Sequence, residues 1–273
     1  MKLACSSKLA PGNTFEEKLA SLGALGYQGI EARVMEDAAT PERIDRMEEA
    51  LSASPVEVCS VIVPSPVYMS PLDSKAALRE KVKNAKRALD VGSRLGGGVF
   101  ITPEYCAQQP LPLWDRPEPL SARDRDRELL LGLLSEVADY AEKVSAVAVL
   151  EPINRYETRF YHTIEEVASV CNQVGSPRVK MVIDFFHMNI EEADIAASIE
   201  AGGDLVYHVQ LGDSNRELPG RGHTDFGAGF AALRRIGYER YMALECRVPE
   251  QPERDLQACA AYLRSCIEET STR

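Results

Sequence analysis

What the 273-residue sequence lacks narrows its identity first. No uninterrupted apolar run approaches the roughly 18 to 20 residues that a membrane-crossing helix needs, and the opening stretch MKLACSSKLAPG has no long apolar core of the secretory type. A cytoplasmic location with no membrane partner is therefore expected. Positive charge is in deficit: 31 Lys plus Arg stand against 42 Asp plus Glu, a formal charge of −11. That balance opposes sequence-independent attraction to nucleic acid or anionic lipid. The seven cysteines (Cys5, Cys59, Cys106, Cys171, Cys246, Cys259, Cys266) form no Cys-x-x-Cys pair. An odd, scattered set suits reduced, buried, small apolar side chains better than a disulfide framework. There is no Gly-x-Gly-x-x-Gly turn after the first apolar run and no Gly-Lys-Ser/Thr loop, so a doubly wound nucleotide-binding sheet has no support. Histidine numbers only four, all between His162 and His223, which is thin for a histidine-rich metal cluster.

What is present is alternation. Apolar runs near Lys2–Ser6, Gly29–Arg33, Val56–Pro64, Gly98–Thr102, Ala146–Glu151, Lys180–Asp184, Leu205–Leu211 and Tyr241–Cys246 read as strands. Segments of helical period lie between them. Leu78, Val82, Ala85 and Leu89 share one helical face, as do Leu130, Leu133, Leu134, Val137, Ala141 and Val144. A last face with Leu256, Cys259, Ala260, Leu263 and Ile267 closes the chain. Thr40 before Pro41 reads as a helix cap followed by a first-turn proline, and Thr163 with Glu166 reads as a capping box. Eight strand–helix alternations in this length predict a (β/α)8 barrel, usually about 250 residues, and a single domain over 1–273. Pro103–Ser121, with five prolines and Trp114, is expected to form a long loop after the fourth strand, either a lid over the substrate or a structural connection, with Trp114 either an apolar wall for the substrate or a packed loop residue. The loop Pro64–Pro71, with Tyr68 and Met69, is expected beside it.

Polar residues interrupt the last four strands, each at its C-terminal end. Ala146–Leu150 gives way to Glu151, Met181–Ile183 to Asp184, and Met242–Leu244 to Glu245, while Leu205–Leu211 carries His208 and Gln210. Active sites of (β/α)8 barrels are built at that end of the strands, so acids arriving there converge around the barrel axis. In a flat sheet, three strand spacings of about 4.8 Å would spread them over roughly 14 Å, too far for one small ion. Singly, each acid could cap a helix or pair with a basic residue, but four strand ends in succession favour a shared site. The oxygen-rich set suits one hard or borderline divalent ion, Mn, Mg or Co. His208 and Gln210 are two apart on one strand and share a face, so either could be the fourth ligand.

The strings LEPINRYET at Leu150–Thr158, VIDFFHMNIEE at Val182–Glu192, HVQLGDSNRELPGRGHTDF at His208–Phe226 and ALEC at Ala243–Cys246 resemble, in order and spacing, the xylose isomerase-like barrels. Among these, the D-tagatose 3-epimerase and D-psicose 3-epimerase group is the most similar. The first half matches only in pattern, through MKLACSS and the GYQGIEAR segment at Gly26–Arg33. The resemblance implies that Glu151, Asp184, Gln210 and Glu245 are metal ligands, that Glu151 and Glu245 are also the acid/base pair, and that Glu157, His187 and Arg216 hold substrate hydroxyls. One position departs: those epimerases usually carry histidine where this chain has Gln210, whereas hydroxypyruvate isomerase resembles it in having glutamine. The implied activity is that of a sugar (ketose) isomerase or 3-epimerase working through a metal-stabilised enediolate. A small sugar is the expected partner, and a homodimer or homotetramer the implied assembly. Hydroxypyruvate isomerase-like activity and a non-catalytic sugar-binding barrel are alternatives. An endonuclease IV-like DNA repair enzyme is disfavoured by the charge and the scarcity of histidine.

Overall fold

The computed structural model describes residues 1–105 and 120–270. The chain runs β1 (Lys2–Ser6), α1 (Phe15–Ala24), β2 (Gly29–Arg33), α2 (Pro41–Ser52), β3 (Glu57–Ile62), α3 (Lys75–Leu95) and β4 (Gly98–Phe100). It continues with α4 (Leu120–Lys143), β5 (Val147–Leu150), α5 (Ile164–Val174), β6 (Val179–Asp184), α6 (Phe185–Glu191) and α7 (Ile195–Gly202). Then come β7 (Val206–Leu211), α8 (Phe226–Arg235), β8 (Tyr241–Leu244) and α9 (Pro252–Glu269). Among the described residues, eight parallel strands close in sequence order, β1 pairing with both β2 and β8. This is the (β/α)8 barrel that the alternation predicts.

Local chemistry explains the helix starts. The Thr40 side chain accepts the Arg43 N–H ahead of Pro41, and Thr163 and Glu166 form the reciprocal capping box. Gly97, which turns α3 into β4, has φ +79, and a Cβ there would lie 2.6 Å from the Cys59 carbonyl carbon, so only glycine fits. Along the strands the apolar residues divide by period two. Leu3, Cys5, Leu150 and Met181 join the helices in the main core, whereas Ala4, Cys59 and Ala243, and separately Phe100, Val149 and Val182, form small clusters that fill the barrel interior. Cys5, Cys59, Cys171, Cys246 and Cys259 are buried and unbridged, and burial raises their thiol pKa values.

Several strands are shorter than their apolar runs. β3 ends at Ile62, β4 at Phe100, β5 at Leu150 and β8 at Leu244, because the chain there leaves the barrel to build its mouth. Glu151 and Glu245 thus sit one residue beyond their strands, while Asp184 is the last residue of β6. The predicted 103–121 loop is corrected at its far end: Leu120 and Ser121 belong to α4. Trp114 and Cys106 lie outside the described residues. The Pro64–Pro71 segment contains a 3-10 turn, Pro66–Met69. Among the described residues no helix is long and apolar enough to cross a membrane.

Candidate active site

A cavity of about 650 Å³ opens at the C-terminal ends of the strands, with Glu151, Glu157, His187, Gln210, Arg216 and Glu245 in its wall. Asp184, fully buried, lies directly behind them through Arg216 and His187. Barrel closure makes this convergence. Asp184 and Gln210 are register partners on β6 and β7, and Glu245 donates its backbone N–H to Leu211 at the end of β7 (3.1 Å).

Asp184 does two things at once. Its Oδ1 caps α6 by accepting the Phe186 N–H (2.9 Å), and its Oδ2 takes a close ion pair from Arg216 Nη1. Glu151 is raised well above its ordinary value by burial and then by the nearby Asp184 charge, against the pull of Arg216. Glu245 is raised by burial and then by Glu31. Both carboxyls are thereby moved from the ordinary carboxylate range toward the pH at which a general acid or base works best.

His187 is carried on α6. The Asn154 Oδ1 accepts the Tyr156 N–H (3.0 Å), which turns its NH2 toward His187 Nδ1 (2.8 Å) and Glu157 Oε1 (3.0 Å). With donors at Nδ1, the imidazole proton belongs on Nε2, which stands 3.4 Å from Glu151 Oε1 and 3.8 Å from Asp184 Oδ2. Burial lowers the His187 pKa from 6.5, so the ring is neutral at neutral pH. One potential ligand atom each from Glu151, Asp184 and His187 lie within 4.8 Å of one another. An Nε2–H, however, is a donor and not a lone pair. Glu157 is fixed on its other oxygen by the Tyr105 hydroxyl (2.6 Å).

Arg216 adopts φ +62, in the left-handed region that non-glycine residues seldom enter. Asp213 enforces this turn by accepting backbone N–H groups of Ser214, Gly220, Gly222 and Thr224. The guanidinium therefore reaches Asp184, approaches Glu245 (3.7 Å) and stacks on Phe186 (4.5 Å). His223, in the same loop, is exposed and contributes its backbone N–H to Ser214. The other acids of the VIDFFHMNIEE string have structural contacts: Glu191 pairs with Arg155, and Glu192 accepts the Ile164 N–H.

The oxygen donors fit a divalent cation on two observations. Gln210 Oε1 and Glu245 Oε2 are buried with no hydrogen-bond partner, and buried acceptors left this way call for an ion or water. They stand among carboxyls whose mutual repulsion a cation would relieve. His208 differs, since its Nε2 contacts Glu31 (3.1 Å) and its ring packs edge-on against Phe100. Glu31, Asn154, Tyr105 and Arg33, 3.9 Å from Glu245, are members of this assembly that sequence reasoning passed over. Glu31 interrupts β2 as Asp184 interrupts β6, so the same signal, extended to the first half, would have found it.

A family model described as Xylose isomerase-like TIM barrel matches residues 19–266. A 3-dehydro-D-guloside 4-epimerase of Escherichia coli is 31% identical over 186 residues, 68% of this chain and 71% of that protein. An L-ribulose 3-epimerase of Methylomonas sp. is 35% identical over 160 residues, 59% of this chain and 54% of that one. The apo structure of a 3-keto-D-glucoside 4-epimerase from E. coli matches with a TM-score of 0.84 at 25% identity, covering 97% of this chain and 100% of the other.

Proposed function

The chain belongs to the xylose isomerase-like TIM barrel family, and on that premise we propose that it is a divalent-metal-dependent sugar epimerase that inverts a carbon next to a ketone by proton transfer. The observation that carries the reading is the pair Glu151 and Glu245, two carboxyls brought from the ends of β5 and β8 to the wall of one pocket that also holds Gln210, His187 and Arg216. A 3-epimerase of a 2-ketose and a 4-epimerase of a 3-keto glycoside both remove hydrogen from a carbon flanking a carbonyl. One constellation therefore serves the reaction named for either relative.

Glu151, Asp184, Gln210 and Glu245 would hold the ion, with Mn, Mg or Co suited to their oxygens. When bound, it supplies Lewis-acid stabilisation of the negative charge that develops on the substrate's carbonyl oxygen. One of Glu151 and Glu245 removes the proton from one face of the carbon, and the other delivers a proton to the opposite face, which inverts it. If a single carboxylate took the proton from C1 of a 2-ketose and returned it to C2, the product would be an aldose. His187 donates its Nε2–H to a substrate oxygen. Glu157, held by Asn154 and Tyr105, accepts from a hydroxyl. Arg216 balances Asp184 and offers its remaining N–H groups to the substrate.

A second reading, a keto-glycoside in place of a free ketose, is favoured by the roughly 650 Å³ cavity, which lies in the middle of the range for drug-sized ligands. The test is to load the purified protein with Mn and offer it free 2-ketoses, a 3-keto glycoside and hydroxypyruvate in deuterated water, then resolve the products chromatographically. Inversion with solvent deuterium at the carbon beside the carbonyl is the expected result. Absence of turnover on every ketone by metal-loaded protein overturns the assignment and leaves a sugar-binding barrel.

A further inference from the structure

We propose that Glu31 is a positioning residue that orients the Gln210 side-chain amide so that its oxygen faces the cation. The inference rests on the metal-dependent reading above. Glu31 is on β2, fully buried, and far from β7 in the strand order, yet its carboxylate collects donors from across the barrel interior. Ser60 Oγ on β3 donates to Oε2 (2.9 Å), and Gln210 Nε2 donates to both oxygens (3.1 and 3.0 Å). His208 Nε2 sits 3.1 Å from Oε2.

An unrestrained glutamine presents either end of its amide. With Nε2 held between both carboxylate oxygens, the Oε1 of Gln210 is turned away from Glu31, and it is the atom left buried without a partner. The reversed amide would face its oxygen against two acceptor oxygens and aim its NH2 at the cation. Both contacts are repulsive, so the carboxylate on β2 selects the ligating orientation. The same contact ties His208 to Glu31, which assigns the fourth ligand to Gln210. Partners of this kind, which hold a metal ligand in place from behind, typically change metal affinity by about 10- to 100-fold when removed.

The test is Mn²⁺ binding to the metal-free protein by calorimetry, with thermal melting in parallel. Glu31→Gln is expected to weaken binding by about 10-fold or more, and to have no more than about a twofold effect when Gln210 is already alanine, because no amide remains to orient. The swap Glu31→Gln/Gln210→Glu restores a donor facing an acceptor and should recover most of the affinity. Should Glu31→Gln not fold, Glu31→Asp, which draws the carboxylate back by one methylene, is compared in its place in the glutamine and alanine backgrounds, with the same outcomes for and against. Equal losses from Glu31→Gln in the glutamine and alanine backgrounds, or no loss, overturn the proposal. Failure of the unaltered protein to bind any divalent cation instead removes the metal-dependent reading itself.

Discussion

The two halves of the barrel mouth differ in what their strands deliver. β5 to β8 bring Glu151, Gln210 and Glu245 to the wall of a single pocket and Asp184 directly behind it, one from each strand or its end. β1 to β4 bring Ser6, Glu31, Ser60 and Phe100, all buried, together with Arg33 and Lys8 at the rim. The contrast between Glu31 and Glu245 shows why identical side chains behave differently. Glu245 stands one residue past β8, lines the cavity and keeps one oxygen unpartnered, whereas Glu31 lies within β2 and spends its oxygens on three neighbouring side chains. A carboxyl carried within a strand, with its oxygens already engaged, serves the site from behind.

The largest effect that would sharpen this contrast is on turnover. Glu151→Gln or Glu245→Gln is expected to lower kcat by about 10²- to 10⁴-fold with the fold retained, measured by product formation and circular dichroism. If either variant stays fully active, the chemistry does not reside in the second half. Next in size is Arg216→Leu, which strips the buried Asp184 of its partner and should cost the metal-free protein about 3–5 kcal/mol in denaturant titration. Added divalent cation should recover part of that loss.

A scaffold substitution follows. Gly229→Ala would drive a methyl group to 2.3 Å from the Phe185 ring, at the start of the helix that carries His187. A cost of about 1–3 kcal/mol is expected, and an unchanged melting curve would mean that α8 does not buttress α6. Smaller again is a pH dependence. Glu151 and Glu245 are raised above 4.5 in the folded protein, so that state keeps protons which the unfolded chain has already released. Stability of the metal-free protein therefore falls as pH rises from about 4.5 through the folded pKa values, by at most about 1.4 kcal/mol per pH unit for each group. Divalent cation, which favours the ionised forms, should flatten that slope in melts across pH 5 to 8. The smallest effect belongs to the first-half rim: Lys8→Ala, at an exposed residue, should leave KM for a neutral ketose within about twofold, since surface charge contributes little.

Much of the site was readable because strand ends are local features. Apolar runs that stop at an acid mark both the strand and the side of the barrel where it ends, so Glu151, Asp184 and Glu245 could be grouped before any coordinates. The motif strings lie in the second half, whereas Glu31 has none around it beyond GYQGIEAR and its role is legible only from its place in β2. Asn154 is not legible from the sequence, because an amide that fixes a tautomer leaves no periodic trace.

Periodicity, caps and strand-end acids, which are properties of neighbours along the chain, were enough to determine the closed eight-stranded barrel and the end where its chemistry sits. Only the tertiary structure decided that Gln210 keeps an unpartnered oxygen while His208 is engaged by Glu31, that Arg216 turns back onto Asp184, and that the His187 proton belongs on Nε2. Each of those outcomes depends on which donor meets which acceptor, a pairing set by barrel closure between residues as far apart as Glu31 and Gln210.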